Sequence, residues 1–129
     1  MIFEKGLESV LKGVGGFEQK VFPVKAPQGT ELPYMVYRLI KSKPKKTLKD
    51  VKGYVEGIYQ VDCKNNDFEL LIDNMIDIKN QMSQCIHQNI GGTGPYIQNV
   101  TFIDRYEQLV ENENEYHGIV QCKFVYDPY

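Results

Sequence analysis

Two histidines, three cysteines and three serines are the residues of this chain most able to carry a reaction. His87 and His117 stand at no metal-ligand spacing from a cysteine or from each other. Cys63, Cys85 and Cys122 are too far apart for any Cys-x-x-Cys pair. A Cys–His nucleophilic pair would have to be assembled by the fold, because such partners meet in space rather than in sequence. Cys63 and Cys122 fall on apolar faces of predicted strands, where thiols are inert. Ser9, Ser42 and Ser83 lie in no nucleophile-elbow pattern. Carboxylates such as Asp62, Asp73 and Asp77 read as the solvated sides of a strand and a helix. The expectation is a protein that is not an enzyme, with no cofactor and no metal.

The glycine clusters Gly13-Val14-Gly15-Gly16 and Gly91-Gly92-Thr93-Gly94 invite a phosphate-loop reading. Neither is placed between a strand and a following helix, and neither carries a downstream Lys-Ser/Thr pair. A helix stop and a turn explain them.

Charge is more informative. Between Lys41 and Lys52 stand Lys41, Lys43, Lys45, Lys46, Lys49 and Lys52, opposed only by Asp50. With Pro44 inside and no periodicity, residues 41–52 are expected to form a mobile loop joining two strands. Such a loop serves as a charged, solvated tip, as a contact for a polyanion, or as a dock for an acidic surface. A second segment, 107–115, is acidic (Glu107, Glu111, Glu113, Glu115) and would supply such a surface on a neighbouring copy. Copies carrying separate basic and acidic loops can associate head-to-tail, closing into a ring where the rotation allows. Nine tyrosines without a tryptophan suggest base stacking only weakly, since most fall within predicted strands.

These segments need a scaffold, and 129 residues suffice for one domain with a real core. Fifteen Lys and Arg against seventeen Asp and Glu leave a net charge of −2, unlike that of a nucleic-acid packager. No apolar run approaches the roughly 20 residues of a membrane span. The opening Met1-Ile2-Phe3-Glu4-Lys5 lacks the basic-then-apolar order of a secretory signal. An odd number of cysteines agrees with a reducing compartment.

Apolar residues at helical spacing predict a first helix over 2–14, stopped by glycine. Extended residues 20–24 follow, then a turn at Ala26-Pro27-Gln28-Gly29-Thr30. Residues 34–40 read as a central strand. Residues 54–63 alternate, with Val55, Tyr59, Val61 and Cys63 on one face and Glu56, Gln60 and Asp62 on a wet one. From Asn66 to Gln88 runs a second helix with Phe68, Leu71, Ile72, Met75, Met82 and Ile86 in its stripe, Ile78 at the edge, and an Asn66/Glu69 capping box. Residues 96–106 and 116–126 form a closing hairpin. This order predicts an α+β fold: an antiparallel sheet of four to five strands with two helices on one face.

The stretch Val21-Phe22-Pro23-Val24-Lys25-Ala26-Pro27-Gln28-Gly29-Thr30-Glu31-Leu32-Pro33-Tyr34-Met35-Val36-Tyr37 resembles the tail completion, or tail terminator, proteins of long-tailed bacteriophages. Ile58-Tyr59-Gln60-Val61-Asp62 ahead of the amphipathic helix, and the closing Phe124-Val125-Tyr126-Asp127-Pro128, match further landmarks. The resemblance implies a non-enzymatic ring, typically sixfold, made in the bacterial cytoplasm and carried in the virion. Such a ring caps the tail tube, stops its polymerisation and joins the tail to the DNA-filled head. Its partners would be copies of itself, the tube protein, the head connector or neck protein, and DNA only as it crosses the lumen, with no membrane. Lys43, Lys45, Lys46 and Lys49 are the expected contact residues, with Glu111 and Glu113 as candidate partners. Two other readings are a neighbouring neck or connector protein and a small nucleic-acid-binding module built on the lysine segment.

Overall fold

The computed structural model describes residues 2–45, 53–109 and 115–127. Helix α1 (Ile2–Lys12) presents Phe3, Leu7 and Leu11 a turn apart, all buried. It ends at Lys12, short of the predicted Val14, because the chain tightens into three-residue turns, with the Val14 amide donating to the Leu11 carbonyl at 3.1 Å. Those turns still bury Val14 and Phe17.

Strands β1 (Val21–Pro23), β2 (Tyr34–Lys45), β3 (Tyr54–Asn65), β4 (Ile97–Leu109) and β5 (Tyr116–Tyr126) make one sheet in the order β1-β2-β3-β5-β4. The α+β class, the strand count and the placing of both helices on one face agree with the sequence. One pairing does not: β1 runs parallel to β2, with Val21 opposite Met35 and Pro23 opposite Tyr37, so the sheet is mixed. Residues 24–33 carry the chain back alongside β1 before β2 begins, and this aligns the two strands.

The covered face of the sheet presents Met35, Tyr37, Tyr59, Val61, Cys63, Val120, Cys122 and Phe124, all buried. Phe3 of α1 stacks on Tyr59 at 4.8 Å and on Tyr126 at 4.3 Å between ring centroids. Helix α2 (Phe68–Ser83) lies beside α1 over β3 and β5 and buries Leu71, Met75, Ile78 and Met82. Ile78 is therefore a core residue and not an edge one.

The ends of α2 differ from those predicted. Asp67 is the cap, its carboxylate accepting from the Leu70 amide at 3.2 Å, while the Asn65 side chain accepts from the Asp67 amide at 3.1 Å. The predicted Asn66/Glu69 box is thus replaced by a cap at Asp67, whose third following residue, Leu70, has no side-chain acceptor to complete a box, and Phe68 stays 47% exposed against Tyr116. The helix stops at Ser83, and residues 84–87 continue as turns that bury Cys85. A short 3-10 turn at Ile90–Gly92 then leads into β4.

The lysine segment is where structure and sequence part most. Strand β2 continues through Lys45, with Lys43 opposite Glu56 and Lys45 opposite Tyr54. Lys41, Lys43 and Lys45 are therefore strand residues and not loop residues. Pro44 is tolerated because β1 reaches only as far as Tyr37, leaving that stretch of β2 an edge where a missing N–H costs no ladder bond. Strand β4 likewise takes in residue 107 and ends at Leu109. Lys46, Lys49, Glu111 and Glu113 lie outside the described residues.

Candidate partner-binding surface

One irregularity in β2 decides where its lysines point. Leu39 pairs with Tyr59, but the next pair is Lys41 with Ile58, so Ile40 is an extra residue in the ladder. Before this bulge, Val36 and Arg38 occupy the uncovered face of the sheet, opposite Asp62 and Gln60. After it the alternation is inverted, and Lys41 and Lys43 take that same face, opposite Ile58 and Glu56. With Ile40 paired in simple alternation they would turn toward the helix-bearing side.

Lys123 of β5 sits opposite Ile58 on the other flank. Lys41, Lys43, Lys123, Glu56 and Ile58 line a hollow of about 180 Å³. Three cations thus meet one carboxylate over an apolar floor. Of these lysines the sequence reading singled out Lys43 alone as a contact residue. Lys123 was within reach, since strand alternation places it with Gln121 and His117, but its pairing with Ile58 needs the register.

Further along the uncovered face a polar chain crosses the central strands. Gln121 donates to the Gln60 side-chain oxygen at 2.8 Å, and Gln60 donates to Asp62 at 2.7 Å. His117 Nε2 lies 3.5 Å from the other Asp62 oxygen. Burial pushes the Asp62 carboxyl up, but hydrogen bonds from His117 and Gln60, with the charges of His117 and Arg38, outweigh it and hold the group below its ordinary value. Gln60 is only 6% exposed, so the expected wet face is dry at its centre. Beside this chain the 24–30 turn and Tyr34, Val36, Asp62 and Lys64 enclose a second hollow of about 380 Å³.

The cysteines stay apart from this surface. Burial lifts the thiols of Cys63 and Cys122 to about 12 and that of Cys85 to about 11. His87, at the end of the turns that follow α2, takes a left-handed conformation and faces Tyr96. Among the described residues no three His, Cys, Asp or Glu side chains gather as a metal would require. No helix among them is long and apolar enough to cross a membrane.

The register also fixes the two hairpin ends. Lys45 and Tyr54 close one end of the sheet, where Val55 faces Tyr126. Leu109 and Tyr116 close the other, where Tyr116 faces Asn65. The strand ends that flank residues 46–53 and those that flank residues 110–115 therefore stand at opposite ends of β3, a twelve-residue strand about 40 Å long.

No protein-family profile matches the chain, and no curated protein matches it. Among solved structures it is similar to a chain of the "Virion of native gene transfer agent (GTA) particle", with a TM-score of 0.62 and 9% identity. The match covers 92% of this chain and 84% of that one. At this identity the two share a fold.

Proposed function

We propose that this chain is a virion structural protein that caps the tail tube as a ring, stops its polymerisation and joins the tail to the DNA-filled head. The observation that carries this reading is the opposition of the two hairpins. A cap must present two chemically different ends, one to the tube and one to the head. Here the strand ends that flank the basic segment and those that flank the acidic segment stand at opposite ends of one sheet. The family resemblance across Val21–Tyr37 and the fold shared with a virion chain support the same conclusion.

In this reading Lys43, Lys45, Lys46 and Lys49 bind the tube or a neighbouring subunit, and Glu111 and Glu113 meet basic groups at the opposite end. The test replaces the four lysines together by glutamine. Joined particles should fall at least tenfold while the isolated variant melts within a few degrees of the parent. An unchanged yield of infectious particles would contradict the role of this segment.

A further inference from the structure

Two surfaces of this molecule are unfinished in complementary ways. The uncovered sheet face carries Lys41, Lys43 and Lys123 around the half-buried Ile58. On the far side of the molecule, α2 turns Glu69, Asp73 and Asp77 to solvent in a row. Leu70 and Ile76 flank that row and are 51% and 43% exposed, although four other apolar residues of α2 already serve the core. Exposed apolar residues rimmed by charge mark interaction sites.

The spacings agree. Acidic residues four apart on a helix stand about 6 Å apart along its axis. Lysines two apart on a strand stand about 6.6 Å apart. A helix laid on a sheet is also the packing this fold already uses on its other face.

We propose that the uncovered sheet face of one copy receives helix α2 of the next, with Glu69, Asp73 and Asp77 against Lys41, Lys43 and Lys123 and with Leu70 and Ile76 over Ile58. Because the two surfaces differ and lie on opposite sides of the molecule, the contact is heterologous, and it closes into a ring where the rotation permits. Duplex DNA could engage the same lysines, but it offers nothing to Ile58 and leaves Leu70 and Ile76 uncovered. The second copy is therefore the better occupant. The inference rests on the ring reading and names its lateral interface.

The test is disulfide trapping in the full chain, where Cys63, Cys85 and Cys122 are buried and do not compete. The double variant Lys43→Cys/Asp77→Cys should give a ladder of covalent oligomers on mild oxidation, and the two single variants mixed should give a heterodimer. In the double-cysteine background, Lys41→Glu with Lys123→Glu should weaken the ladder at least tenfold, and adding Glu69→Lys with Asp73→Lys should restore it. Absence of the ladder, or dimers formed by one single variant with itself, would overturn the interface. So would salt-sensitive binding of a short DNA duplex that depends on Lys41 and Lys43 while no ladder forms. Tail capping is read separately from particle morphology. Uncapped tails beside an intact ladder contradict the cap, and capped tails without a ladder contradict only this interface.

Discussion

Gly6 of α1 and Gly91 of the 3-10 turn lie against each other with no room for a side chain on either. A Cβ on Gly6 would stand 2.6 Å from the Ile90 carbonyl oxygen, and one on Gly91 would stand 2.7 Å from the Gly6 Cα. The first helix is locked to the segment after α2 by backbone contact. In an open helix, Gly→Ala stabilises by about 1 kcal/mol. Here the Ile90 backbone carbonyl stands nearest, with the Ile90 Cγ2 close behind it, so overpacking, at about 1–3 kcal/mol, should win. Gly6→Ala is expected to lower stability in denaturant titration with an unchanged slope. Gly91→Ala should lose more, because its φ of +64° adds left-handed strain.

The ladder bulge at Ile40 makes a separate prediction. Deleting Ile40 removes the extra residue and restores simple alternation, so that Lys41 follows Leu39 directly and, with Lys43, keeps the uncovered face opposite Ile58 and Glu56. The variant should remain folded by circular dichroism, since Leu39 and Ile40 are 43% and 48% exposed and contribute little core. The disulfide ladder described above should persist, and its loss would contradict the placing of Lys41 and Lys43 by simple register.

Asp62 should give the fold an acid-sensitive component. Its carboxyl is held below its ordinary value by His117 and Gln60, so the ionised form is favoured in the folded state. That stability is present above the unfolded carboxylate value of about 3.9 and is lost as pH falls through the lower folded value. Asp62→Asn should cost about 1–3 kcal/mol at neutral pH, where it removes charge-assisted hydrogen bonds. The gap between parent and variant should close below about pH 4, as read from unfolding curves at several pH values. A gap that persists at low pH would show that the carboxylate's charge is not its source.

The three thiols should report on folding. With Cys63 and Cys122 at about 12 and Cys85 at about 11, almost no thiolate exists in the native protein at pH 8. An aromatic disulfide reagent should react slowly with native protein and rapidly with all three thiols after unfolding. Cys85, which follows the end of α2, should be the first native thiol to yield.

Much of this fold was legible because its signals are periodic. The stripe of α1 and the alternation of β3 and β5 follow directly from burial of one face, and the register then carries Tyr59, Val61, Cys122 and Phe124 to the core. What the sequence hides is non-local. The parallel pairing of β1 depends on the path of residues 24–33. Lys41, Lys43 and Lys45 look like loop residues because charge density and Pro44 mask an extended strand, which long-range pairing with β3 imposes. The bulge at Ile40 has no local signature, yet it decides which face the lysines occupy. Phe68 looks like a core residue by spacing and lies outside the core, because capping by Asp67 starts the helix just before it.

The proposed ring cap is tested most directly by electron microscopy of the phage-like particles that assemble once the gene for this chain is removed. A cap predicts DNA-filled heads beside unattached tails of irregular length, both reversed by supplying the intact chain. Normally joined particles with tails of uniform length would contradict it.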